Sequence, residues 1–107
     1  MLEAIAHIQG FTAEMTFASF QTNPLVQSGV AWQFQVLGEA AGQVERAIQQ
    51  QYPAVPWRTM RDMRNVISHG YHSIDLAIMW QTLSVDLAPV APLLREILAR
   101  AGQSESD

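Results

Sequence analysis

Apolar residues in this chain recur at the interval of a helix, not of a strand. From Met1 to about Met15 they stand at Met1, Ile5, Ile8, Phe11 and Met15, a spacing that lays one stripe along a helix, interrupted late by Gly10. Thr16 to Gln21 reads as a short connector with room for one helical turn. Asn23-Pro24 then marks a helix start, because the Asn side chain can accept from the first free N–H groups and proline has no N–H to leave unpaired there. The second helix is expected to run to about Gln51. Its apolar positions are Leu25, Ala31, Phe34, Leu37, Ala41, Val44 and Ile48, with Gly38 and Gly42 as a small-residue strip that lets another backbone approach. Tyr52-Pro53-Ala54-Val55-Pro56 breaks the helix, since each proline removes a donor and pushes the residue before it into extended geometry. A third helix is predicted from Pro56 or Trp57 to Gly70, a natural left-handed stop. A fourth follows from about Asp75 to Leu83, entered through Ser73-Ile74-Asp75, and a last one from about Leu87 to Arg100 after a kink near Asp86 and Pro89. With no alternating stretch, internal repeat or heptad series, the pattern predicts an all-α, up-and-down bundle of four to five helices. One domain is expected over residues 1–101, followed by a polar, disordered tail over 102–107.

Composition narrows the chemistry. At 107 residues and 49% hydrophobic, the chain can bury one core and is near the size at which self-association adds stability. Neither a run of 18 apolar residues nor a basic leader with a small-residue cleavage site is present, which points to the cytoplasm and away from the membrane. The absence of cysteine removes disulfides, thiolate nucleophiles and sulfur-based zinc sites, and agrees with a reducing compartment. Gly-rich phosphate loops, acyl-transfer triads and a Walker lysine are missing as well. The net charge of −4 argues against a protein that coats nucleic acid without specificity, because such binding relies on many cations neutralising phosphates. The distribution of cations is more telling. There is no lysine, yet Arg58, Arg61 and Arg64 fall within seven residues and are followed by His69 and His72. A local cationic site suits a phosphate contact, with Arg58, Arg61 and His72 as candidate partners for RNA phosphates. A solvated helix face is the alternative.

On a wheel of about 100° per residue the third helix is cleanly amphipathic. Met60, Met63, Ile67 and Gly70 share one side, and Arg58, Arg61, Asp62, Asn65, Ser68, His69 and His72 the other. Arg64 departs from this, lying toward the apolar side between Trp57 and Tyr71, where its guanidinium must snorkel or meet a partner across an interface. Asn65 and His69 are four apart and share a face. Arg64 and His69 are five apart, roughly 140° around a regular helix, so one straight helix does not aim both at the same atom. Either the helix distorts near Gly70 or a second subunit completes the site. A two-fold dimer resolves the geometry by bringing the same helix end from each chain to one axis, giving a cleft with two arginines and two histidines. That set fits RNA transesterification: one His as base, a second acid for the leaving oxygen, Arg on the phosphorane, and Asn65 to orient the His ring or donate to a phosphate oxygen. Histidine, with an unperturbed pKa of about 6.5, serves either role near neutrality. This chemistry asks for no metal and no cofactor.

Arg64, Asn65, His69 and Tyr71, in the run Arg64-Asn65-Val66-Ile67-Ser68-His69-Gly70-Tyr71, resemble the HEPN signature as it occurs in HepT-like toxins of bacterial modules that pair a HEPN protein with a minimal nucleotidyltransferase. Leu37-Gly38-Glu39-Ala40 is similar to the family's Ile-Gly-Glu-Ala segment, and Tyr52-Pro53-Ala54-Val55-Pro56-Trp57 to the Tyr-Pro-x-Ile-Pro-Trp segment that leads into its third helix. The resemblance covers most of the chain. It implies a homodimeric helical bundle, ribonuclease activity centred on Arg64 and His69, and a cognate nucleotidyltransferase antitoxin as partner. In such pairs the antitoxin can transfer AMP from ATP to the motif tyrosine, here Tyr71, placing an anionic group two residues from His69 that would block the cleft and repel RNA. Trp32 and Gln35 stand where family members often carry Arg and Glu, and Met1 falls a turn or two into the usual first helix.

Plainer readings stand beside these. Without the family context, Arg64 and His69 read as a structural pair at a bundle end. His69, His72 and Asp75 form a weak metal set, with a helix-ending glycine between the two histidines. His7 is expected to have no role, Glu39 either orients a motif residue or is a solvated carboxylate, and Trp57, Trp80 and Met79 read as core and interface residues. A different functional class also fits, a non-catalytic substrate-binding or regulatory subunit of a nucleotidyltransferase complex.

Overall fold

The computed structural model describes residues 1–69 and 75–105, with side chains described for 1–63 and 75–100. Among the described residues the chain is all helix and turn, with no strand. The first stripe becomes α1, Leu2–Thr12, which buries Ala4, Ile5 and Ile8 and ends with the Thr12 hydroxyl donating to the Ile8 carbonyl at 2.8 Å. Phe11 lies off the core at 44% exposure, its ring against Gly29 and stacked on exposed His7. The connector forms its own helical turn, α2, Phe17–Gln21. The Thr16 hydroxyl accepts from the Ser19 N–H and the Ser19 hydroxyl from the Thr16 N–H, a reciprocal cap that satisfies two otherwise free donors. Phe20 drops from this turn into the core against Trp80, ring centroids 5.2 Å apart.

α3, Pro24–Gln43, starts as its sequence predicts, with the Asn23 side chain accepting from the Val26 N–H and proline in the first turn. Val30, Ala31, Phe34, Leu37, Gly38 and Ala41 are buried along it, whereas Leu25 is 83% exposed because the first turn projects beyond the core. The long second helix expected to reach Gln51 divides. Val44 and Glu45 take extended backbone angles, and α4, Arg46–Gln51, begins a new short helix. Gly42, two residues before it, weakens the last turn of α3, but Gly38 in the same helix does not break it. The deciding cause is tertiary: the chain must reverse here to lay the next helix back on α3. The Gln49 amide supports the break by donating to the Ala41 and Val44 carbonyls at 3.2 and 2.9 Å.

α5, Trp57–His69, returns antiparallel to α3, with Trp57 beside Val44 and Arg61 beside Gly42. The Gly70 stop lies outside the described residues. α6, Leu76–Gln81, is capped by Asp75, whose carboxylate accepts from the Ala77 and Ile78 N–H groups. It continues into a π-helical turn over Thr82–Asp86, closed by the Leu87 N–H donating to the Thr82 carbonyl. α7, Val90–Glu105, closes the bundle. One core joins the elements, centred on Ile5, Ile8, Phe20, Val30, Phe34, Leu37, Met60, Met79, Leu87 and Val90, all 1% exposed or less. The molecule is elongated, with extents of 51 × 29 × 18 Å. Among the described residues no single helix is long and apolar enough to cross a membrane.

Candidate active site

The helix carrying the motif is set in place from its N-terminal end. In the Tyr52–Pro56 segment the Val55 N–H donates to the Tyr52 carbonyl at 3.2 Å, and the Trp57 indole N–H donates to the same carbonyl at 3.0 Å. Val55 and Trp57 are both buried, so the two prolines deliver the chain into a fixed turn and Trp57 pins the first residue of α5 to it. The Met60 N–H takes the Pro56 carbonyl and the helix proceeds. Trp57, Met60 and Met63, at 7, 1 and 6% exposure, form the inward face against the rest of the bundle.

Arg58, Arg61 and Asp62 face solvent, as the wheel predicts. Arg58 lies 3.8 Å from Asp62 in an exposed pair one turn apart, a geometry that adds little stability and leaves the guanidinium accessible. Arg61 lays its aliphatic stem across Gly42, where a Cβ added to the glycine would lie 3.8 Å from the arginine Cδ. The small-residue strip thus lets the stem rest on the α3 backbone while the charged head remains in water. Of the strip, Gly38 is buried and Gly42 is covered only by this stem.

Positions 64–69 continue the same helical backbone; the side chains of Arg64, Asn65 and His69, and all of Tyr71 and His72, lie outside the described residues. Helical register places position 64 one turn after Met60 and two after Trp57, on the inward-facing side, and position 65 one turn after Arg61 on the outward side. The backbone therefore preserves the angular separation of positions 64 and 69 that raised the question of a second subunit.

A feature the sequence marks only as a kink bears on this helix. Thr82 is buried at the start of the π turn, its hydroxyl 2.9 Å from the Ile78 carbonyl and 4.0 Å from the sulfur of Met63, the residue directly before Arg64. The break expected between about Leu83 and Leu87 is bridged by this turn, which inserts one residue into the helix before α7 begins at Val90. It turns Leu87 and Val90 into the core and holds α6 against the end of the inward face of α5.

Comparison with known proteins agrees with the family resemblance. The family model described as ribonuclease HepT-like matches residues 1–97. The chain is 32% identical to a probable ribonuclease HepT of Thermococcus cleftensis over 79% of its own length and 77% of that protein. It is 26% identical to a putative RNase of Methanocaldococcus jannaschii, over 84% of this chain and 83% of that one. A second putative RNase of that organism is 34% identical over 75% of this chain and 66% of its own. No solved structure matches. With the family model matched along nearly all of its length, the chain belongs to the HepT-like ribonucleases of the HEPN family.

Proposed function

We propose that this protein is the toxin of a toxin and antitoxin pair, a metal-independent endoribonuclease whose site is shared by two copies of the chain. The observation that carries the reading is the family match over residues 1–97, beside the resemblance of the Arg64, Asn65 and His69 spacing on α5 to the HEPN signature. In the proposed reaction His69 of one copy takes the proton of a ribose 2′-hydroxyl. The 2′-oxygen then attacks phosphorus, the bond to the 5′-oxygen breaks, and the leaving oxygen receives a proton from the second His69. The products are a 2′,3′-cyclic phosphate and a free 5′-hydroxyl. Arg64 stabilises the charge on the phosphorane, Asn65 orients the ring or the phosphate, and Arg58, Arg61 and His72 hold neighbouring phosphates.

One physical feature supports pairing: it brings both copies of residues 64 and 69 to one cleft, which a single straight helix cannot. For control, a nucleotidyltransferase antitoxin transfers AMP to Tyr71: the tyrosine oxygen bonds to the α-phosphorus of ATP and pyrophosphate leaves. The added anion two residues from His69 opposes RNA phosphate.

His69→Ala is expected to abolish both RNA cleavage and growth inhibition while the protein still folds and binds its partner; cleavage retained by H69A would overturn the catalytic assignment. Incubation with the partner and ATP should add one AMP mass to Tyr71 and silence cleavage, and Tyr71→Phe should escape both. A wild-type protein that binds the nucleotidyltransferase yet cleaves no RNA would instead establish the non-catalytic subunit.

A further inference from the structure

The most exposed large aromatic of the described residues stands beside the motif helix. Trp32 is 61% exposed on α3, flanked one turn to either side by Ser28, Gln35 and half-exposed Val36. Its direction is fixed by two contacts of the same helix. Gly42 faces Arg61 of α5 and Gly29 faces Phe11 of α1, and at about 100° per residue Trp32 falls between those directions, on the solvent side between the two neighbours. Its height follows from the antiparallel packing. At about 1.5 Å per residue, Trp32 lies about 15 Å from Gly42 along α3, and position 69 about 12 Å from Arg61 along α5 in the same direction. The indole therefore stands level with the C-terminal end of the motif helix, within about one turn of it.

Along this edge the chemistry alternates in the way that suits a single strand of nucleic acid. Arg58 and Arg61 line the α5 side with accessible guanidiniums, and the α3 side offers an aromatic face. Glu39, exposed on α3 between Trp32 and Gly42, repels phosphate and so favours a backbone path over α5 with the bases turned toward α3. Aromatic platforms beside cationic tracks bind unpaired bases, whereas a duplex has its base faces already stacked. We propose that the Trp32 indole is a stacking platform for an unpaired RNA base next to the scissile phosphate. This rests on the ribonuclease reading above.

The test uses the full chain and a 2′-O-methyl oligoadenylate of about a dozen nucleotides, single-stranded and resistant to cleavage because its 2′-oxygen carries no proton. Binding should quench tryptophan fluorescence, and the quench should vanish in Trp32→Leu, since Trp57 is buried and Trp80 half-covered by Phe17 and Phe20. Trp32→Ala should weaken binding by about five- to a hundredfold and Trp32→Phe by much less, with the same oligonucleotide in duplex form bound weakly by all. On a cleavable strand the alanine variant should raise KM and leave kcat little changed. Equal affinity of W32A and wild type, or equal preference for the duplex, overturns the platform alone. A wild type that binds no oligonucleotide overturns the ribonuclease reading with it. A W32A protein that sediments as a smaller species than wild type assigns the surface to contact between copies and overturns the proposal.

Discussion

At the scale of single residues, neighbouring space decides what each glycine contributes. Gly10 sits inside α1 with nothing within 4 Å of where a Cβ would be, so its only effect is the backbone freedom it adds to the unfolded chain. Gly10→Ala should raise stability by about 0.5–1 kcal/mol in denaturant unfolding. Gly29 differs, because a Cβ there would lie 3.2 Å from the edge of the Phe11 ring. Gly29→Ala should gain less than Gly10→Ala or lose stability, and adding Phe11→Leu should remove the difference; an equal gain at both positions would show that the ring moves freely. Of the candidate residues, Arg58 and Arg61 could be placed from the sequence, because a strongly amphipathic helix allows only one outward face. The reach of Arg61 across Gly42 could not, since it depends on which helix lies alongside.

At the scale of elements, caps and breaks obey different kinds of information. Asn23-Pro24 and Asp75 act locally on the first free N–H groups of their helices, and both starts are legible in the sequence. The division of α3 from α4 is not, because a lone Gly42 does not end a helix, as Gly38 shows, and nothing in Gln43-Val44-Glu45-Arg46 opposes helix more than its neighbours do. The reversal that brings Trp57 back to Val44 imposes it, and Gln49 makes it tolerable by serving the Val44 carbonyl. Gln49→Leu should therefore destabilise the fold by about 1–2 kcal/mol, as an unpaired half-buried carbonyl costs. Gln49→Glu, which keeps the shape but offers no donor, should cost at least as much. Unfolding curves that match wild type would mean that water replaces the amide. The π turn at Thr82 is a mixed case: the kink is legible near Asp86 and Pro89, but its π form, which brings Thr82 to Met63, is not.

At the scale of the whole molecule, the separated directions of positions 64 and 69 lead to one expectation. Activity per chain should fall on dilution in step with the loss of a species of twice the monomer mass in sedimentation, as the proposed two-copy cleft requires. Full specific activity in a monomer would remove the shared site. The small size contributes to this: apolar side chains such as Leu25, Ile78, Val85 and Leu98 remain 56 to 83% exposed.

The sequence by itself determined the helical class, the starts of α3, α5 and α6, the inward and outward faces of α5, and membership of a motif-defined family, because each rests on contacts within a few residues or on a spacing preserved in the chain. Tertiary structure decided that the chain breaks after Gln43, that the kink before α7 takes the form of a π turn at Thr82, and that Trp32 stands beside the end of the motif helix. These depend on how α5 and α6 return across α3. That return is set by the packing of residues far apart in the chain, which no local periodicity records.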